Sequence, residues 1–73
     1  MPKIPRAREI IKILEGLGFI FLRQSGSHAI YEHPVTKIQV VIPVHGSKEI
    51  SIGVFKRILR DLEISIDSFW KLK

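Results

Sequence analysis

The chain has 73 residues, a net charge of +5 and no cysteine. A chain this short builds one small core, so we expect a single domain over residues 1–73, without a disulfide, a thiolate metal site or a cysteine nucleophile. The apolar runs are too short for a membrane span, the missing cysteines agree with a cytoplasmic protein, and the basic excess favours a polyanion or an acidic protein as partner.

The first predicted element is a helix over residues 6–16. Apolar residues recur there at spacings of three and four, which places them on one side of a helix. Pro5 suits the first helical turn, because its missing N–H is no loss at that position. Gly16 and Gly18 are expected to end the helix, since glycine accepts the left-handed conformation common at helix ends.

Three short segments rich in β-branched and aromatic residues follow, and they predict strands at 19–24, 28–33 and 38–42. The turns between the strands are short, at 25–27 and 34–37, which favours an antiparallel meander. After a loop over 43–49, Ser51 is expected to cap a second long helix at 52–62, and Ser65 to cap a short helix at 66–72. The order α-β-β-β-α with a short C-terminal helix predicts a two-layer α+β fold with both long helices on one face of the sheet.

The first hairpin carries the residues best suited to chemistry on a phosphodiester. Arg23 supplies a positive charge, Gly26 and Ser27 supply turn N–H groups and a hydroxyl, and His28 has an imidazole that exchanges protons near neutral pH. Serine and glycine are also ordinary hairpin residues, so this motif by itself leaves a purely structural turn open.

A second candidate lies in the loop before the second long helix, where His45 and Lys48 precede a helix N-terminus that favours anions. A plain surface loop is the alternative. We interpret His33, next to Pro34, as structural or solvent-exposed. The three histidines have none of the spacings typical of a metal site, so we expect neither a metal nor another cofactor.

The order of these motifs resembles the HicA family of toxins from bacterial and archaeal toxin–antitoxin pairs. The resemblance covers most of the chain and rests on five segments: LGF at 17–19, RQSGSH at 23–28, YEHP at 31–34, IPVHG at 42–46 and GVFKRILR at 53–60. It implies a fold similar to a double-stranded-RNA-binding domain, mRNA interferase activity and a HicB antitoxin that binds and silences the toxin. The catalytic histidine of the family follows a Gly-Ser pair, which matches His28. His45 matches a recurrent position whose role the resemblance leaves open.

Chemistry and resemblance together lead to one mechanistic hypothesis. His28 acts as general base or acid in a metal-independent cleavage of mRNA, with the phosphate held by Arg23 or by the N–H groups of Gly26 and Ser27. His45 is the candidate for a second proton-transfer group. The expected phosphate contacts elsewhere lie on the polar faces of the two long helices: Arg8, Lys12, Lys56, Arg57 and Arg60.

Two other classes of function fit the same sequence. A non-catalytic RNA-binding module of the same fold explains the charge, the helices and the hairpin equally well, although it has little use for an imidazole at the turn. A protein-interaction domain is the third class, and it predicts no affinity for RNA at low salt.

Overall fold

The structure is a computed structural model that describes residues 4–44 and 50–72. Within these residues the chain forms a helix, three antiparallel strands and two further helices, which confirms the predicted α+β fold. We number the elements in chain order: α1 (Ala7–Gly16), β1 (Ile20–Ser25), β2 (His28–Glu32), β3 (Gln39–Pro43), α2 (Ile52–Leu62) and α3 (Ile66–Lys71). Among the described helices, none is long and apolar enough to cross a membrane.

At the start of each helix, a hydrogen bond joins the N-cap residue to a residue of the first turn. Ser51 and Ser65 cap α2 and α3 as predicted, and each hydroxyl accepts the backbone N–H three residues later, at 3.2 and 3.1 Å. At α1 the N-cap is Arg6, whose backbone N–H donates to the Glu9 carboxylate at 3.0 Å. Pro5 therefore lies two residues before the first helical residue, Ala7, so our placement of Pro5 in the first turn was wrong, and α1 begins one residue later than predicted.

The end of α1 decides where β1 begins. Gly18 has φ +99°, and the N–H of Phe19 donates to the Leu14 carbonyl at 2.9 Å, which completes a Schellman motif. Gly18 is therefore the glycine that ends the helix, whereas Gly16 is its last helical residue. Because Phe19 is bound to the helix end, β1 begins one residue later than predicted.

The three strands form one sheet in the order β1-β2-β3, so β1 and β3 are its edges. β3 also begins one residue later than predicted, because the Ile38 carbonyl closes the preceding turn by accepting the His33 N–H at 3.0 Å. β3 extends to Pro43. Proline has no N–H to donate to a neighbouring strand, and an edge strand tolerates this because one of its sides has no neighbour.

The core lies between the sheet and the helices. Both α1 and α2 contact β3, and α3 adds Phe69, whose ring meets Phe55 of α2 edge-on at a centroid distance of 5.0 Å. The buried side chains of this core come from all six elements except β1, with two more from the segments beside them: Ala7, Ile10, Ile13, Leu14, Phe19, Ala29, Tyr31, Val40, Ile42, Ile50, Phe55, Ile58, Leu59 and Phe69.

The strand register assigns the remaining residues to the opposite face of the sheet. Ala29 pairs with Ile42, and both belong to the core. Tyr31 pairs with Val40, again in the core. Since neighbouring residues of a strand alternate between faces, the residues between them point away from the helices. We call this side the open face, defined by the side chains of Ile20, Arg23, Ser25, His28, Ile30, Glu32, Gln39, Val41 and Pro43.

His33 holds the end of α1 against the turn between β2 and β3. Its Nδ1 accepts the backbone N–H groups of Val35 and Thr36 at 3.1 and 3.3 Å. Its ring meets Phe19 edge-on at a centroid distance of 5.3 Å. A Cβ added to Gly18 would lie 3.1 Å from the Nε2 of His33. Gly18 is thus needed both for its positive φ and for the space that the imidazole occupies.

We predict that Gly18→Ala lowers the free energy of unfolding by about 1–3 kcal/mol, because it combines an unfavourable φ with crowding against His33. Gly16→Ala is the matched control. A Cβ there meets nothing within 4 Å, and we expect stability to be unchanged or to rise by up to about 1 kcal/mol. Chemical denaturation of both variants checks this, and equal effects of the two substitutions would contradict it.

Candidate functional site

The turn between β1 and β2 is a two-residue hairpin loop. Ser25 and His28 are the closing pair, and Gly26 has φ +59° while Ser27 keeps a negative φ. This φ pattern is that of a type II′ turn, which requires glycine at the first loop position. The Gln24 amide donates to the Gly26 carbonyl at 3.0 Å, and the Val44 N–H donates to the Ser27 carbonyl at 2.6 Å. The turn is therefore held from both of its flanks.

A β-bulge in β1 decides which way Arg23 points. Phe21 pairs with Tyr31 and so lies on the helix side of the sheet. In a regular strand Arg23 would lie on that side as well, because residues two apart share a face. The bulge between Phe21 and Arg23 adds one residue, so that Arg23 pairs with Ile30 and joins the open face.

Arg23 and His28 are therefore neighbours on the open face. They are diagonal partners across β1 and β2, a relation that puts Cβ atoms about 7 Å apart. Both side chains are exposed. The guanidinium and the imidazole can reach the same phosphate, the first as a fixed charge and the second as a proton donor or acceptor.

The turn adds hydrogen-bond donors to this pair of side chains. Among the backbone hydrogen bonds of the described residues outside the helices and strands, none uses the N–H of Gly26 or of Ser27. Free N–H groups at a tight turn form a concave site for an anion. The hairpin thus offers a charge, an imidazole and two main-chain donors around one small region, which we call the hairpin site: Arg23, Gly26, Ser27 and His28.

Ser25 belongs to the same region, although it was not among the predicted site residues. It pairs directly with His28, so the two side chains stand side by side on the open face. The signal was available in the sequence, because a two-residue hairpin loop always pairs the residues that flank it.

The cations of the helices lie in the other layer of the fold. The side chains concerned are all exposed, with Arg8 and Lys12 on α1 and the others on α2: Lys56, Arg57 and Arg60. Because α1 and α2 cover the core side of the sheet, these cations are separated by the sheet from the open face that carries Arg23 and His28. The structure therefore does not bring the helix cations together with Arg23 and His28. His45 and Lys48 lie outside the described residues.

Two other polar side chains, those of His33 and Tyr31, have structural roles. His33 is partly buried and makes the contacts described above, so of our two interpretations, structural or solvent-exposed, the structural one applies. Burial, and secondarily the negative charge of Glu15, raises the pKa of Tyr31 above its usual value. The phenol is therefore protonated at neutral pH and is not available as a proton acceptor.

Within residues 4–44 and 50–72, no three His, Asp or Glu side chains form a group that could hold a metal ion.

Comparison with known proteins gives one family. The family model described as HicA toxin of bacterial toxin–antitoxin matches residues 7–64, which span α1 to the end of α2 and include the whole hairpin site. Among curated proteins, nothing matches the chain significantly.

We predict different effects on stability for substitutions of the two described histidines. His28→Ala should leave the free energy of unfolding within about ±0.5 kcal/mol of the wild type, since the imidazole is exposed at a strand end. His33→Ala should lower it by about 1–2 kcal/mol, because two backbone N–H groups lose their acceptor and Phe19 loses a neighbour. Urea denaturation measures both values, and a strongly destabilised His28→Ala would make that residue structural.

Proposed function

The chain belongs to the HicA toxin family of bacterial toxin–antitoxin systems, and from this we propose that it is a metal-independent mRNA endoribonuclease that uses His28 for proton transfer. Family membership gives it the role of a toxin and implies a HicB antitoxin as its partner. The observation that supports cleavage is the hairpin site, where Arg23 and His28 share the open face beside two unused backbone N–H groups. We propose further that residues 1–73 act as one domain, and that the toxin meets mRNA in the cytoplasm.

RNA brings its own nucleophile, so the protein has little covalent chemistry to perform. The 2′-oxygen attacks the adjacent phosphorus, the bond from phosphorus to the 5′-oxygen breaks, and the products end in a 2′,3′-cyclic phosphate and a 5′-hydroxyl. One proton must leave the 2′-hydroxyl and one must reach the 5′-oxygen. His28 takes the first or supplies the second, a contribution of about 10²–10⁴ in rate.

The remaining groups of the hairpin site hold the phosphate during this step. Negative charge grows on the non-bridging oxygens as the 2′-oxygen attacks, and donors already in position stabilise it without moving. Arg23 supplies a charge, and the N–H groups of Gly26 and Ser27 supply two neutral donors. His45 is our candidate for the second proton-transfer group, and Lys48 for a further phosphate contact.

A binding module without catalysis needs the basic surfaces but not the imidazole. Arg8, Lys12 and the cations of α2 can hold an RNA strand by its phosphates whether or not His28 acts on it. The two functions therefore separate at His28, and this residue is the one to test.

We predict that His28→Ala and His28→Gln both remain folded and both lose RNA cleavage, by about 10²-fold or more. Glutamine keeps hydrogen bonding but has no useful acid–base chemistry, so its failure distinguishes proton transfer from positioning. Cleavage of a labelled RNA is measured in the presence of EDTA, and the product ends are identified as cyclic phosphate and 5′-hydroxyl.

Lys37→Ala is a control for this assay, because Lys37 is an exposed cation in the β2–β3 turn, away from the hairpin site. It should cleave RNA as the wild type does. A folded His28→Gln that still cleaves, or a wild type that requires a divalent ion, would contradict the mechanism. A wild type that binds RNA but cleaves none would support the binding module.

We also predict that RNA affinity falls steeply with salt, because bound cations displace counterions from the phosphates. Each phosphate contact to a single strand adds about 0.7 to the slope of log K against log salt, so Arg57→Ala with Arg60→Ala should reduce that slope by about 1.4 if both bind RNA. Lys71→Ala, a cation of α3 outside the predicted set, should leave the slope unchanged. Binding that does not depend on salt, or no binding, would count against any RNA-related function.

A further inference from the structure

The free edge of β1 is the largest group of exposed apolar side chains in the described structure that is continuous in sequence. All six residues of β1 are exposed, and three apolar ones stand in a row: Ile20 at 53%, Phe21 at 54% and Leu22 at 39% of full exposure. The other exposed large apolar residues of the described chain are isolated from each other in sequence, as Val35, Val41, Ile52 and Leu72 are. Soluble proteins normally protect an edge strand with charge or cover it, because its unpaired N–H and C=O groups accept another strand.

These three side chains surround the edge instead of lying on one side of it. Ile20 pairs with Glu32 and lies on the open face. Phe21 lies on the helix side, where its ring meets Tyr31 edge-on at a centroid distance of 5.7 Å. Leu22 lies at the bulge between the two. A strand added beside β1 therefore finds apolar surface on both of its own faces.

We infer that a β-strand of the HicB antitoxin pairs with the free edge of β1, with apolar side chains packed on Ile20, Phe21 and Leu22 and an acidic side chain opposite Arg23. Main-chain hydrogen bonds of this kind give affinity, and the alternating side chains of the added strand give specificity. The pairing itself does not depend on the proposed function. Only its consequence, that the added strand blocks the hairpin site, rests on that function.

Charge is the first argument for this occupant. The chain carries a net charge of +5, so an acidic partner is attracted to it and a second copy is repelled. Arg23 is the only charged residue of β1 and follows the three apolar residues directly. The edge therefore offers one cation at a fixed place, which an acidic residue of the partner strand complements.

The bulge is the second argument, because it acts against pairing between two copies. It interrupts the regular strand between Phe21 and Arg23, so two identical edges would each have to accommodate the irregularity of the other. A different strand adjusts to only one bulge. RNA fits this edge less well, since only Phe21 of the three apolar side chains offers a ring for a base to stack on, whereas Ile20 and Leu22 suit the apolar side chains of a protein strand.

The consequence for activity follows from the position of Arg23. The same side chain belongs to the hairpin site and to the proposed docking edge. An acidic group paired with Arg23 removes the charge that we assign to the phosphate, and the end of the added strand lies beside the turn at Gly26. One short strand thus inhibits the toxin without contacting His28.

The test is a double variant, Ile20→Lys with Leu22→Lys, measured against the cognate HicB antitoxin by calorimetry. Both side chains are exposed and neither belongs to the hairpin site, so the variant should fold and should cleave RNA at the wild-type rate without antitoxin. We expect its affinity for the antitoxin to fall by about tenfold or more. Val35→Lys is the matched control, because Val35 is an exposed apolar residue, at 81%, outside β1, and it should bind as the wild type does.

Hydrogen exchange on the wild-type complex gives a second measurement that needs no variant. The backbone N–H groups of residues 20–23 should exchange more slowly when the antitoxin is bound. Unchanged exchange there, or equal affinity of the double variant, would overturn the inference whether or not the chain cleaves RNA. Self-association of the chain alone, lost in the double variant, would assign the edge to a second copy and overturn it too. If the antitoxin binds through the edge but the chain cleaves no RNA, the result would support the inference about the edge and reject only the proposed nuclease activity.

Discussion

The two-residue turn between Ser25 and His28 is the constraint on which the arrangement of the sheet depends. Gly26 accepts a positive φ that other residues disfavour, and the short loop then leaves one possible register for β1 and β2. In that register Ala29 and Tyr31 enter the core while His28 stands on the open face. A shift of the register by one residue would exchange the two sets, burying the imidazole and exposing the core side chains.

The fold separates its polar surfaces because it has only two layers. The helices cover one side of the sheet, so the cations of α1 and α2 face solvent beyond the core, while Arg23 and His28 lie on the side that none of the described helices covers. In the function that we propose, the hairpin site performs the chemistry and the helix cations hold RNA that extends around the domain.

The edge strand joins the proposed activity to its proposed inhibition. β1 contributes Arg23 to the hairpin site, yet none of its residues is buried. A strand that carries a residue of the proposed site and remains exposed suits a protein whose activity is controlled by a partner. The exposure that would be a liability for a free protein becomes useful when the antitoxin is present to cover it.

Sequence periodicity by itself determined the order and type of all six elements, the two serine caps and the core side of both long helices, because hydrophobic spacing and local capping are properties of neighbouring residues. The sequence also predicted the turn that His28 follows, since Gly26 and Ser27 define a turn locally. The tertiary structure alone decided the bulge that turns Arg23 onto the open face and the unpaired edge of β1. The tertiary structure alone also showed that the helix cations lie apart from the hairpin site. These features depend on which strand lies beside which and in what register, and such contacts between distant residues leave no periodic signal in the chain.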